Sequence, residues 1–103
     1  MRWRVSWIAF LALMVGGCGQ GGDDATSRGR LVYLTECIVC HNNDPAMSGA
    51  IGPAIKGSSQ ELLEARVLRG AYPPGYVPKR TTALMPLMPK LAPKIPDLAA
   101  FLR

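Results

Sequence analysis

One histidine, three cysteines and seven aromatic residues in 103 positions leave little material for several common kinds of site. A structural zinc centre takes four Cys or His ligands, usually as two separated pairs. This chain offers one cluster, Cys37, Cys40 and His41, with Cys18 far from it in sequence. Convincing alternation of apolar and polar residues is also missing, so Cys37 and Cys40 lack the βαβ setting in which a thioredoxin-like redox pair sits. Nor is there a long apolar run. Val5 to Val15 falls short of the roughly 20 residues that cross a bilayer comfortably. A chain of this length holds one domain.

What is present is concentrated in Cys37-Ile38-Val39-Cys40-His41. Two thiols three positions apart, followed at once by an imidazole, form the C-x-x-C-H signature of covalent c-type haem attachment. Each thiol can form a thioether to one haem vinyl group, and the next residue then lies beneath the ring with a nitrogen aimed at the iron. His41, the single histidine, stands at that position. Zinc, a dithiol pair and a coincidental spacing are the competing readings; the first two need partners or a setting that this chain lacks, and coincidence suits a long cysteine-rich chain better than this short one.

The first residues, Met1-Arg2-Trp3-Arg4, read as a basic n-region and Val5 to Val15 as the apolar core of a secretory signal. Val15-Gly16-Gly17-Cys18 resembles the lipobox of bacterial lipoproteins, which implies a signal peptide over 1–17 and lipidation of Cys18. An ordinary signal with a leftover thiol and an uncleaved anchor are the alternatives, and all three lead to export. Residues 18–27 read as the lipidated cysteine and a flexible tether. Its span would average about 15–18 Å and stretch to about 30 Å. Without Arg2 and Arg4 the formal charge of +5 falls to +3, from ten basic and seven acidic residues. Two haem propionates would lower it further, so the charge gives no case for a nucleic-acid partner.

Residues 28–103 form the expected globular domain. Thr26 or Ser27 can cap a helix running toward Cys37. Gly29, Tyr33, Cys37, Cys40 and His41 follow the spacing G-x-x-x-Y-x-x-x-C-x-x-C-H, which resembles the front of small bacterial class I cytochromes c. The resemblance implies an all-α, cytochrome c-like fold: three to four short helices wrapped around one covalent haem c, with long Pro/Gly-rich loops. It also implies that Gly29 lies where the first helix crosses the last against an aromatic residue, here Phe101. Tyr33 is carried over with the haem-binding residues.

Asn42 to Gly57 is turn-rich and reads as a loop. Its Ile51-Gly52-Pro53-Ala54-Ile55-Lys56-Gly57 is similar to the family's G-P-x-L-x-G element, in which the Pro53 carbonyl would accept a hydrogen bond from the non-ligating nitrogen of His41. A plain turn is the other reading. Ser58 to Glu61 matches a capping box ahead of an amphipathic helix over Leu62 to Arg69, ended by Gly70. Glu61, Glu64, Arg66 and Arg69 read as its solvated face.

From Ala71 to Leu91, Pro73, Pro74, Pro78, Pro86 and Pro89 exclude a helix and leave a stiffened strap. The strap carries Met85 and Met88, and a methionine sulfur opposite a histidine is the pairing that raises haem potential in electron carriers. Family spacing to Leu91 favours Met85 as the sixth ligand, with Met88 the alternative. Met47, six residues from His41, reads as loop packing. Pro96 and Asp97 suit the start of a last helix with Leu98, Phe101 and Leu102 on one face.

The expected function is one-electron transfer between exported or membrane-bound redox proteins, such as a membrane dehydrogenase, a cytochrome complex or an oxidase. The expected location is the periplasmic side of a bacterial membrane, with lipid at Cys18 as anchor. A haem-binding sensor, or a haem subunit of a larger oxidoreductase with a labile sixth ligand, is the alternative. Lys56, Lys79, Arg80, Lys90 and Lys94 would form a basic rim or lie scattered. A mature chain of about 86 residues with few aromatics buries a modest fraction of its surface, so the protein without haem is expected to be largely unfolded.

Overall fold

Asp24 opens the first helix. Its carboxylate accepts a hydrogen bond from the Ser27 amide at 2.7 Å, satisfying one of the free N–H groups at the start of α1 (Ala25–Glu36). The computed structural model describes residues 24–103. The expected signal segment 1–17, Cys18 and the tether as far as Asp23 lie outside the described residues. Asp24 to Ser27 belong to the helix start and not to the tether, and the cap is Asp24 where Thr26 or Ser27 was expected. The Ser27 N–H, and to a smaller extent the Arg28 charge, hold the Asp24 carboxyl below the usual carboxylate range.

On α1, Gly29, Val32 and Tyr33 are buried at the spacing of one helical face. That face meets α3 (Ile95–Leu102), whose Ile95, Leu98, Ala99 and Leu102 are buried in turn. Gly29 allows the crossing: a Cβ there would overlap the Asp97 carbonyl and lie 2.9 Å from the Phe101 Cβ. Beside it the Phe101 ring packs on Tyr33 with centroids 5.5 Å apart. Arg28 donates from both sides of its guanidinium fork to Asp97, at 3.0 and 3.1 Å.

Ser59 caps α2 (Gln60–Leu63), its hydroxyl accepting from the Leu62 amide at 3.1 Å. The expected cap, Ser58, is occupied one step earlier, donating from its hydroxyl to the Ile55 carbonyl. The expected regular helix over Leu62 to Arg69 is four residues of α-helix widening into a π-helical turn, Glu64–Leu68. Gly70 then turns the chain at φ +64°, and the Ala71 amide bonds back to the Ala65 carbonyl at 2.9 Å.

The strap that follows has no helix until Pro89–Lys94, a 3-10 helix that runs directly into α3. The preceding turn supplies the helical geometry at the start of α3, which begins without a side-chain cap at Lys94. The described residues are all-α, with no strand among them, and a core built from α1, Leu63, Val67, Leu91 and α3. Among the described residues no helix is long and apolar enough to cross a membrane.

Candidate functional site

α1 ends in a turn that folds its last carbonyls onto the Cys37–His41 run. The Cys37 amide bonds to the Tyr33 carbonyl at 2.9 Å, and the Cys40 and His41 amides reach back to Cys37 at 3.3 and 3.0 Å. The Cys40 carbonyl in turn accepts from Ile51 at 3.2 Å and from Gly52 at 2.8 Å. These bonds bring the 42–57 loop over the His41 ring. There Nδ1 lies 2.8 Å from the Pro53 carbonyl oxygen and donates to it in the tautomer that satisfies both groups. Gly52 makes this approach possible, since a Cβ at that position would fall 2.5 Å from ring atoms of His41.

With Nδ1 so engaged, Nε2 is the nitrogen left to act as a ligand. The ring lines a cleft of about 320 Å³, together with Cys37, Cys40, Pro53, Met85 and Met88. Leu62, Leu63, Val67 and Leu98 make it largely apolar, and the last three are buried core. Met85 and Met88 are both half-buried there, whereas Met47 is 57% exposed and stays outside. Tyr33 is not among the lining residues. It is fully buried between the helices, and its hydroxyl donates to the Asn42 carbonyl, tying α1 to the residue after His41. Burial first, then Cys37 and Asp44, push the Tyr33 phenol up to about 12.

Cys37 and Cys40 are free thiols. Burial, with a smaller push from the Glu36 carboxylate, raises the Cys37 thiol to about 11. Thiol–disulfide exchange runs through the thiolate, so this thiol is poorly suited to a redox pair at neutral pH. Among the described residues no three His, Cys, Asp or Glu side chains gather to hold a metal ion. The donor set does fit a haem c. It comprises two thiols on one turn, an imidazole with Nδ1 tethered and Nε2 left over, two methionine sulfurs, and apolar walls.

The sequence pattern missed three neighbours of the cleft. Arg66, expected on a solvated face, lies over the Tyr72 ring at 4.3 Å and donates to the Gly70 carbonyl at 3.0 Å. Tyr72 stacks on Tyr76 with centroids 5.4 Å apart, and all three line the cleft. The four-residue spacing of the two tyrosines was the available signal, but it falls outside any helix. Of the expected basic rim, Lys79 and Arg80 line the cleft. Lys90 pairs with Glu36 at 3.1 Å, and Lys56 and Lys94 are not among the lining residues.

No protein-family model matches the chain, and no curated protein matches it.

Proposed function

We propose that this chain is a monohaem c-type cytochrome with a class I cytochrome c-like fold, acting as a one-electron carrier. The observation that carries the reading is the convergence on one apolar cleft of Cys37, Cys40, His41 and the methionines of the strap, with His41 Nδ1 held by the Pro53 carbonyl. Cys37 and Cys40 would hold the haem as thioethers. His41 Nε2 and Met85, with Met88 the alternative, would be the protein ligands to its iron. Bound in this way, the haem supplies one-electron exchange between ferrous and ferric iron.

The residues of the chain set the conditions for that exchange. The Pro53 carbonyl fixes the orientation of the imidazole and makes it a better donor. The apolar walls exclude water, which favours the less charged state of a buried site. Held by both an imidazole and a methionine sulfur, the iron would offer no position for substrate, so the reading is a carrier and not an enzyme. Export through the 1–17 signal, a lipid at Cys18, and redox proteins at the periplasmic face of a membrane complete the proposal.

One structural feature favours the second reading, a labile sixth site for sensing. Among the described residues, positions 77–87 take part in no backbone–backbone hydrogen bond, so the methionine strap is lightly held. Mass spectrometry and the visible spectrum of the exported protein test both readings. A mass increase of one haem, a low-spin spectrum and indifference of the reduced protein to carbon monoxide are expected. A colourless, well-folded product would overturn the haem assignment, and ready carbon monoxide binding would favour the sensor.

A further inference from the structure

The strap from Val77 to Leu87 spans the cleft with no backbone ladder to position it. Its ends are fixed, by the stacking of Tyr76 on Tyr72, over which Arg66 lies, and by Met88 N–H to the Val67 carbonyl at 2.8 Å. Proline stiffening narrows the conformations of the strap but does not attach it to anything. Between the ends, among the described residues, two polar side chains tie it to the loop beneath. Arg80 Nη2 reaches the Ser48 hydroxyl at 3.5 Å, the outer limit for a hydrogen bond. Lys79 Nζ donates to the Ala54 carbonyl at 2.7 Å, a short charge-assisted contact.

The acceptor is well placed. Ala54 follows Pro53, so two consecutive carbonyls of one loop receive the His41 ring and the Lys79 ammonium. We infer that Lys79 is a positioning residue that fastens the strap carrying Met85 to the loop that orients His41, and so governs how firmly the sixth position is held. This rests on the haem reading above. Met85 is six residues from Lys79 on the same strap, and among the described residues no backbone–backbone hydrogen bond holds the stretch between them. Releasing the latch therefore lets the sulfur withdraw while the core, which lies on α1 and α3, stays intact.

The test uses the full-length haem-loaded protein and three variants: Lys79→Met, which removes the donor; Lys79→Arg, which keeps a charged donor; and Lys56→Met, which removes the same charge from an exposed neighbour. Imidazole is titrated into the ferric protein, and the long-wavelength band of methionine-ligated iron is recorded alongside amide exchange over Arg80 to Met85. Lys79→Met is expected to bind imidazole about fivefold more tightly, equivalent to about 1 kcal/mol, the usual net worth of one hydrogen bond. Its strap amides should exchange faster, its methionine band should weaken, and its unfolding stability should fall by no more than the free energy that the fivefold change represents. Lys79→Arg should return toward the parent, and Lys56→Met should match it.

Equal imidazole affinity in Lys79→Met and the parent would overturn the latch while leaving the haem reading standing. Equal shifts in Lys79→Met and Lys56→Met would overturn it too, as a plain charge effect. A parent protein without haem would sink the functional proposal itself, and the latch with it.

Discussion

Gly29→Ala adds one methyl group to α1 and sets two effects of opposite sign against each other. In a helix interior, alanine is favoured over glycine by about 1 kcal/mol. Against that gain, the new Cβ would overlap the carbonyl oxygen of Asp97, lie 2.5 Å from its carbon, and lie 2.9 Å from the Phe101 Cβ. The Asp97 carbonyl is α3 backbone, so no rotamer change relieves the overlap and α3 must move as a body. Leu98 and Leu102, 1% and 0% exposed, would then lose their fit against α1. Overpacking in a tight core costs about 1–3 kcal/mol, and a clash with backbone belongs at the upper end. The net loss is about 2 kcal/mol, or a fall in Tm of about 10 °C for a domain of this size. Thermal unfolding followed by circular dichroism measures it, with Arg30→Ala on the exposed face as a control expected to move little. A Gly29→Ala protein that melts at or above the parent would show that α1 and α3 do not cross at this residue.

Gly52→Ala places a methyl group 2.5 Å from the His41 ring, so the ring must turn and break the Nδ1 contact with Pro53; the ring nitrogen shifts in NMR should lose the signature of a bonded Nδ1–H, and unchanged shifts would contradict the geometry. Tyr33→Phe removes the donor to the half-buried Asn42 carbonyl and should lower unfolding stability by about 1 kcal/mol, read from urea midpoints. The Arg28 hydrogen bond, then its charge, hold the Asp97 carboxyl below its ordinary value of 3.8. A depressed carboxylate stabilises the fold fully above that value and loses its contribution as pH falls through the lower folded one. Urea midpoints of Asp97→Asn should therefore change less than those of the parent between neutral pH and the region below 3.8, and parallel curves would show that the pair carries no pH-dependent stability.

The helix crossing and the loop were readable because their signals are stereochemical and local. Gly29 in an otherwise helical segment has few uses besides close approach, and Asn42 to Gly57 holds too many turn residues for a helix. Caps were off by one or more residues for an equally local reason. Ser58 and Ser59 both satisfy the pattern, and only the turn at Ile55, which takes the Ser58 hydroxyl, decides between them. Asp24 lay in a stretch whose glycines and polar residues read as tether, and its role emerges with the Ser27 amide. The π-helical turn at Glu64–Leu68 leaves no mark in side-chain periodicity over so few residues. At the cleft, the sequence pattern pointed to the sulfur and imidazole groups because their chemistry is rare. It missed Arg66 and gave Lys79 no more than a place in a basic rim, because their contacts are to an aromatic face and a backbone carbonyl that no spacing rule identifies.

The two sides of the cleft are held by different physics. The 42–57 loop has no regular structure, yet Gly49 bonds to Gly52, Ile51 and Gly52 to Cys40, and Ile55 and Lys56 to Pro45, all at 2.8–3.2 Å. These are enthalpic ties in the folded state, and breaking them loosens the His41 ring and the fold together. The prolines of the strap act mainly on the unfolded chain, by reducing the freedom lost on folding. They raise stability without specifying where the strap rests. Its position is left to its fixed ends, the Lys79 contact and the half-buried sulfurs. Substitutions in the loop, like those of the strap prolines, should therefore register as loss of stability, whereas substitutions at the strap's other contacts should show chiefly as displacement of Met85 and Met88.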